Sequence, residues 1–474
     1  MQASTDLIVL GAGPAGLAAA WQASRTGLSS IVVERAAAVG GMAASFDVAG
    51  VRVDHGSHRL HPATSPSVMA DLRGLLGDDL QLRPRNGRLR VGEQWVGFPL
   101  QPAQLLRALP AGMLTRIVVE ALTEPLRRRR APTSYSDALR ASLGPTLYDA
   151  VYAPYAVKLW GLPGEQIDPE QARRRVSADT PWKIAHRVLR QNLGRQRREA
   201  PGRVFYYPRR GFGQIVSALS DAAVAAGAQL RLNTAVEEVR ASEDGVSVRT
   251  RNGEMFTAGH LFTTIPLPLL ARIAVPAPPA AAVDAAAALR FRSMVLVYLV
   301  HEGRPWTTFD AHYLPGLDTP VSRISEPAGY RCSTADPADR TVLCCEVPCQ
   351  IGDHWWSAEE SDLAAMVGEA LSRCGLPPVR GSEVVVRRLR TVYPVYETGY
   401  TVHLQGLDSW AATLPRVTTF GRLGLFVHDN THHAMAMAYD AVAALTGGPG
   451  SDPHWDATAW SAARRRFADH VVED

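Results

Sequence analysis

Lysine is almost missing from this chain. Lys158 and Lys183 are the only two among 50 basic residues, and every other cation is arginine. Chemistry that needs a lysine amine therefore has two candidates. Cysteine is scarce as well. Cys332, Cys344, Cys345, Cys349 and Cys374 are the five thiols in 474 residues. They form no secreted disulfide framework in a chain this long, so a reduced, cytoplasmic compartment is expected. Cys344, Cys345 and Cys349 have no second pair and no close histidine to complete a zinc set. Strand alternation would put Cys344 and Cys345 on opposite faces, so buried strand cysteines are expected and no metal. Long apolar runs are absent too. The stretch 261–279 is cut repeatedly by proline and once by Arg272, and no transmembrane segment is expected.

What is present is an ordinary globular composition, 46% hydrophobic and 20% charged. That excludes disorder as the dominant state. The length implies two or three cores, at about 100–200 residues per domain. Charge is unevenly spread. Residues 115–215 hold 19 Lys/Arg against 9 Asp/Glu, or +10, so a net of +4 leaves −6 elsewhere. The excess lies in Arg127–Arg130, Arg173–Arg175 and Arg195, Arg197 and Arg198. Two accounts stand: a solvated face, or attraction to phosphate or to a membrane surface without insertion. No nucleic-acid fold or interleaved aromatics accompany these arginines, so RNA and DNA are disfavoured as partners.

The N-terminal run Leu7-Ile8-Val9-Leu10 follows Asp6 and ends in Gly11. No basic flank precedes it, so it reads as a buried parallel strand rather than a signal peptide. Gly11-Ala12-Gly13-Pro14-Ala15-Gly16 comes next, then an alanine-rich helix, then the strand Ile31-Val32-Val33 ending in Glu34 and Arg35. The spacing has a physical meaning. Gly11 allows the tight turn, and Gly13 lets backbone approach a pyrophosphate at a helix N-terminus. Gly16 lets helix and strand pack closely. Glu34, 18 residues beyond Gly16, ends the second strand, where a carboxylate accepts from ribose hydroxyls. Dinucleotide binding is expected.

Gly40-Gly41-Met42 follows, then Val53-Asp54-His55-Gly56-Ser57-His58-Arg59. Here the chain resembles the FAD-dependent amine oxidase and protoporphyrinogen oxidase superfamily. The resemblance continues through Val236 in Leu232–Val239, the crossover Phe262–Pro266, Gly421-Arg422, and Asp429-Asn430-Thr431-His432-His433-Ala434-Met435. The matching branch is of bacterial proteins similar to UDP-galactopyranose mutase. It is marked by Gly56–His61, by Tyr152–Gly161 ending in Trp160, and by Tyr393-Pro394-Val395-Tyr396. Most members carry Arg where this chain has Met42. The resemblance implies non-covalent FAD, held by Gly11, Gly13, Pro14, Ala15, Gly16, Glu34, Arg35, Gly40, Gly41 and Met42. Gly56, Ser57 and His58 would run beside the isoalloxazine, and the Val236 backbone would meet adenine. Gly421, Arg422, Asn430, His433, Ala434 and Met435 would make the last contact, where a helix N-terminus favours the charge of a reduced flavin.

It also implies an α/β fold. A discontinuous Rossmann-like FAD-binding domain of the GR2 type takes residues 1–75, 205–265 and 385–450. A helical, Arg-rich insert takes 76–204, with helical spacing over 104–109, 114–126, 136–143 and 147–159. A mixed β-sheet substrate domain takes 266–384, with strands at 293–298 and 341–347 and a helix over 358–374. A linker over 447–453 leads to a tail helix in 451–474.

Catalytic candidates are His58 and His432, whose imidazoles can exchange a proton near neutral pH, and the aromatics Tyr393 and Trp160. Many amine oxidases place a lysine near flavin N5. Lys158 and Lys183 both fall in the insert instead, so an ordinary amine-oxidase site is disfavoured; action of Lys158 from the insert's inner face, beside Trp160, stays open. The leading expectation is an FAD-dependent oxidoreductase that takes hydride from a small polar metabolite, phosphorylated or glycosylated substrates included. The alternative is a redox-neutral isomerase resembling UDP-galactopyranose mutase, although that family's Tyr-Thr-Gly-plus-Asp signature is replaced by Thr263–Leu267. A third is a flavoprotein scaffold without turnover.

Overall fold

The computed structural model describes residues 3–98, 109–123, 131–175, 204–446 and 454–472. Arg127–Arg130, Lys183, Arg195, Arg197, Arg198, the linker 447–453 and nearly all of the helix expected over 104–109 lie outside the described residues. The run Leu7–Leu10 forms the middle of the first sheet. Its strand, Ala3–Leu10, pairs in parallel with Met255–Thr263 on one side and Ser30–Val33 on the other. Gln229–Arg231 extends the parallel part, and Gly245–Thr250 and Val236–Ser242 add an antiparallel edge. Strand alternation divides the core between two faces. Leu7, Val9 and Val32 pack on the face that carries the helix Pro14–Arg25. Ile8, Leu10, Ile31 and Val33 pack on the other. Ala18, Ala19 and Ala20 keep that helix close to Met435, Ala438 and Ala441 of the helix Thr431–Thr446.

The second sheet runs in the order Val384–Pro394, Phe291–Glu302, Arg340–Cys349, Arg323–Ser325, Ala311–Tyr313, Gly87–Val91, Gln94–Phe98. Cys345, Val347 and Cys349 enter one core and Cys344 the opposite one, so the two adjacent thiols face apart. All five cysteines are free thiols.

The region between the two sheets departs from the helical expectation. Helices are found at Ala111–Thr123, Tyr135–Leu143, Ala153–Trp160 and Pro169–Arg175. Residues 80–98 are strands, and two of them extend the second sheet. The reason is local: Gly87, Leu89 and Val91 are buried while Arg88 and Arg90 are not, a period of two that no helix can satisfy. Tyr148–Tyr152 forms a π-helical turn before Pro154, so the helix expected over 147–159 is broken at its start. The tail helix Ala457–Phe467 does more than cap the surface. Trp460 and Phe467 enter the first core, and Arg464 donates twice to Asp408 at 2.9 Å.

Candidate functional site

The site begins with the first glycine loop. Gly11 has φ +100° and donates its N–H to Val33 O at 2.9 Å, which turns the chain from strand to helix. A Cβ on Gly16 would lie 1.9 Å from Gly11 O, so the close approach tolerates no side chain. Gly13 is the opposite case: a Cβ there would meet nothing within 4 Å. Pro14 opens the helix, where its missing N–H costs nothing. Glu34 accepts from Ala12 N–H at 2.9 Å and Ala36 N–H at 2.8 Å. Its backbone also accepts from Thr234 N–H at 2.8 Å, which brings the start of the Val236 strand beside it. Arg35 is exposed.

Three remote segments close on this loop. Gly40 donates to Ala12 O at 2.7 Å, and a Cβ on Gly41 would sit 3.7 Å from Gly13 Cα. Met42, where most members of the resembled superfamily carry arginine, is partly buried and packs against the core formed by Val48, Val51 and Val53 with the second sheet. Gly421 has φ +79°, and its Cβ would come within 3.2 Å of Ala15 Cβ. Thr264, at the crossover, bonds Leu10 O through both its N–H and its hydroxyl. The result is backbone lined by glycine around an open Gly13, a fit for a pyrophosphate bridge.

Residues 55–59 lie against the second sheet. Glu346 accepts from Ser57 N–H at 2.9 Å and from Arg323 at 2.7 Å, and Ser57 Oγ meets Tyr330 OH at 2.6 Å. His58 stacks on Phe212 at 5.1 Å. Burial, then the charges of Arg323, His55 and Arg422, push its pKa down to about 3, so it is neutral. Its Nδ1 is buried without a hydrogen-bond partner among the described residues. Arg59 is structural: it donates to Asp310 and Tyr313 and lies over the rings of Phe205 and Tyr330.

An aromatic wall stands nearby. Trp160 and Tyr393 meet edge to face at 5.4 Å, and both contact His428. Tyr396 meets the same imidazole at 4.9 Å. Arg175 and Arg422 lie over the ring of Tyr393. His428 is fully buried, and burial together with Arg175, Arg422 and Arg174 drives its pKa well below the usual range. Both His58 and His428 thus feel Arg422. The sequence places His428 with His432 and His433 in the last flavin segment, but not among the catalytic candidates. Lys158 turns away from this wall and donates to Leu314 O and Val321 O. It is buried, and desolvation lowers its pKa to about 8.

The helix Thr431–Thr446 brings its N-terminus to the same end. Arg422 donates to Asp429 O at 3.4 Å. His433 packs at 4.1 Å from both His432 and His470. Burial first, then neighbouring positive charge, takes His432 down to about 4 and His433 to about 2. Asp429 Oδ1 lies 3.4 Å from His433 Nδ1 and 3.2 Å from His470 Nδ1. The His433 and His470 rings are stacked at 17°. Near-parallel rings share no point lying in both planes, as a common metal would need, so the set is a hydrogen-bonding cluster. His432 faces His61 and His470 while His58 faces Arg323 and Arg422; the two catalytic candidates occupy different settings. Ala434 and Met435 are buried in the first core, while Asn430 stands at the helix entrance and its N–H points to His433 Nδ1 at 3.3 Å.

A parallel strand, a glycine turn, a carboxylate at the next strand end and a second glycine pair define a dinucleotide-binding flavoprotein. The family model for flavin containing amine oxidoreductases matches residues 14–441. The chain belongs to that family, and its cofactor is FAD. AofH of Mycobacterium tuberculosis strain H37Rv, assigned as a flavin-containing monoamine oxidase, is 30% identical over 278 residues, 56% of this chain. The chain spans 57% of the length of that curated relative. Among solved structures, a reduced UDP-galactopyranose mutase superposes with a TM-score of 0.80 at 19% identity, covering 99% of this chain and 100% of that one. A protein assigned as protoporphyrinogen oxidase, from Exiguobacterium sp. 255-15, gives 0.72 at 16%, covering 93% and 98%. Putrescine oxidase bound to putrescine gives 0.63 at 16%, covering 94% and 99%. At these identities the likeness is one of fold. No described helix is long and apolar enough to cross a membrane.

Proposed function

We propose that this protein is an FAD-dependent oxidoreductase that dehydrogenates a small polar metabolite, with hydride passing from a substrate C–H bond to flavin N5. FAD supplies the two-electron acceptor; the chain supplies binding, orientation and the proton path. Gly11, Gly13, Pro14, Ala15, Gly16, Gly40, Gly41 and Met42 hold the pyrophosphate end. Glu34 and Arg35 take the ribose side and the Val236 backbone the adenine. Gly56, Ser57 and His58 flank the ring system. Gly421, Arg422, Asn430, His433, Ala434 and Met435 bring the helix N-terminus to its pyrimidine edge. Trp160 and Tyr393 form the substrate wall.

The observation that carries the reading is His58. It is a buried imidazole that stays neutral at physiological pH, with an unpartnered Nδ1, on the loop between the glycine cradle and the aromatic wall. A neutral imidazole can take a hydrogen bond from the proton that leaves with the hydride and orient it toward the final acceptor; at a pKa of about 3 it does not keep that proton itself. His432 takes part as a second proton carrier, or positions the helix entrance. The five free thiols suit a reduced, cytoplasmic compartment.

A second reading is a redox-neutral isomerase acting on a nucleotide sugar, favoured by the two guanidiniums on Tyr393. Anaerobic mixing separates them. Bleaching of the oxidised flavin band by a polar metabolite is the expected result. Bleaching by none across a panel of alcohols, amines and phosphorylated metabolites, with turnover of a nucleotide sugar by pre-reduced protein, would overturn the oxidoreductase. Reoxidation of reduced protein in air-saturated buffer then sorts oxidase, returning within seconds with peroxide, from dehydrogenase.

A further inference from the structure

We propose that His470, on the C-terminal tail, is a positioning residue for the flavin: by its hydrogen bond to Asp429 it holds the entrance of the helix Thr431–Thr446 and offsets the charge of that carboxylate. This rests on the reading above that the N-terminus of this helix meets the pyrimidine edge of FAD. His470 lies 41 positions beyond Asp429 in sequence, yet its Nδ1 is 3.2 Å from Asp429 Oδ1. The Asp429 side chain is completely buried, and its Oδ2 has no hydrogen-bond partner among the described residues. The other close nitrogen, His433 Nδ1 at 3.4 Å, accepts from Asn430 N–H at 3.3 Å. Burial and neighbouring positive charge hold the His433 pKa down to about 2, so its ring is neutral. A neutral imidazole nitrogen that accepts a hydrogen bond has no proton to give. The donor to the carboxylate is therefore His470, with the proton on Nδ1. Burial pushes the Asp429 carboxyl up, and His470 is the largest influence pulling it back, ahead of Arg174 and Arg422.

The tail is tethered so that the imidazole stays there. Trp460 and Phe467 anchor its helix in the first core, and Arg466 pairs at 3.0 Å with Asp440 on the helix Thr431–Thr446. Beyond the tail helix, Ala468 O accepts from Arg173 at 2.5 Å and Val472 N–H donates to Arg174 O at 2.8 Å. His470 falls between these two tethers in the chain. Its ring stacks on His433 at 4.1 Å and lies 5.5 Å from that of Phe467.

The electrostatic consequence follows from where Asp429 stands, two residues before the helix. A helix N-terminus favours the negative charge of a reduced flavin, whereas a carboxylate beside it opposes that charge. The hydrogen bond from His470 answers the carboxylate. Without it neither Asp429 oxygen would keep a donor among the described residues, and a buried charge left unbonded is costly. The flavin would then be harder to reduce.

The test uses the full-length, FAD-loaded protein. It reads the flavin midpoint potential, by anaerobic titration against a dye of known potential, beside the melting temperature. Two variants separate the hydrogen bond from the ring. His470→Phe keeps a ring to stack on His433 but has no donor, and His470→Asn keeps a donor near the Nδ1 position but has no ring. His470→Phe should lose about tenfold in preference for reduced over oxidised FAD, a fall of about 30 mV for a two-electron couple. His470→Asn should stay close to the unsubstituted protein. Arg464→Gln, which frees the tail from Asp408 and not from Asp429, should lower the melting temperature and leave the potential alone. An unchanged potential in His470→Phe, or an equal fall in His470→Asn, would overturn the proposal. Should His470→Phe fail to fold, His470→Leu, which also lacks a donor, decides. Asp429→Asn tells this failure from failure of the reading beneath it. A potential raised by Asp429→Asn and untouched by His470→Phe keeps the helix at the flavin edge and removes His470 from it. A potential moved by neither removes the helix itself from the flavin edge.

Discussion

The glycine cradle and the arginine–aromatic wall lie at two ends of one site and are built by opposite rules. In the cradle almost nothing depends on side chains. Gly16 must be glycine because a Cβ would fall 1.9 Å from a backbone oxygen, while Gly13 faces open space that the proposed pyrophosphate would fill. In the wall everything depends on side chains. Trp160, Arg175, Tyr393, Arg422 and His428 come from four separated stretches, and backbone geometry alone selects none of them. On the proposed reading, the cradle answers to the shared cofactor and the wall to the substrate.

The sharpest way to break the comparison is within the first loop. Gly13→Val should abolish FAD binding and give colourless protein of nearly unchanged fold, because its side chain enters open space. Gly16→Ala should destabilise the fold itself by about 1–3 kcal/mol, because backbone must move. Flavin absorbance and thermal melting separate the two. A yellow, fully loaded Gly13→Val protein would refute the loop assignment. Next in size is His58→Ala, which should slow anaerobic flavin reduction by about 10²-fold or more while FAD stays bound. An unchanged rate would return His58 to a packing role on Phe212.

The same contrast explains what the sequence revealed. Gly11 to Gly16, Glu34 and Gly40-Gly41 were readable because local geometry demands those residues at those spacings. The strand character of 80–98 was readable too, in the alternation of Gly87, Leu89 and Val91 with arginines, but reading the insert as mostly helical passed over it. His428 was readable only as one more histidine of the last flavin segment. Its significance lies in contacts to Trp160, Tyr393 and Tyr396, which only the fold brings together. Lys158 shows the converse. Its place in the insert left open whether it acts on the flavin, and its partners, two carbonyls more than 150 positions away in sequence, could be found only in three dimensions.

That lysine supplies a smaller test. Lys158→Met removes the donor from Leu314 O and Val321 O and should cost about 1–3 kcal/mol of stability with no change in flavin reduction. Loss of activity in a folded, FAD-loaded variant would move Lys158 from scaffold to chemistry.

The smallest effect lies in acid stability, and it sets the wall against the sheet. His58 beside the wall and His260 in the first sheet both have pKa values lowered to about 3, chiefly by burial. In the unfolded chain each returns to about 6.5. Between pH 6.5 and 3 the unfolded state therefore binds more protons, and folding stability falls as pH falls. Each such histidine contributes up to about 1.4 kcal/mol per pH unit in that window and nothing to the slope above it. Melting measured from pH 7.5 to 5 should show this decline, and His260→Gln should flatten it by about one proton. Its Thr418 partner, at 2.9 Å, still has an amide to bond. His58→Gln should flatten it equally if both sites are dry. FAD bound beside His58 and absent at His260 gives the sharper form of the test: removing the cofactor should change the His58 contribution and leave that of His260 intact. Equal changes at both would mean that the difference between cradle and wall does not reach their electrostatics.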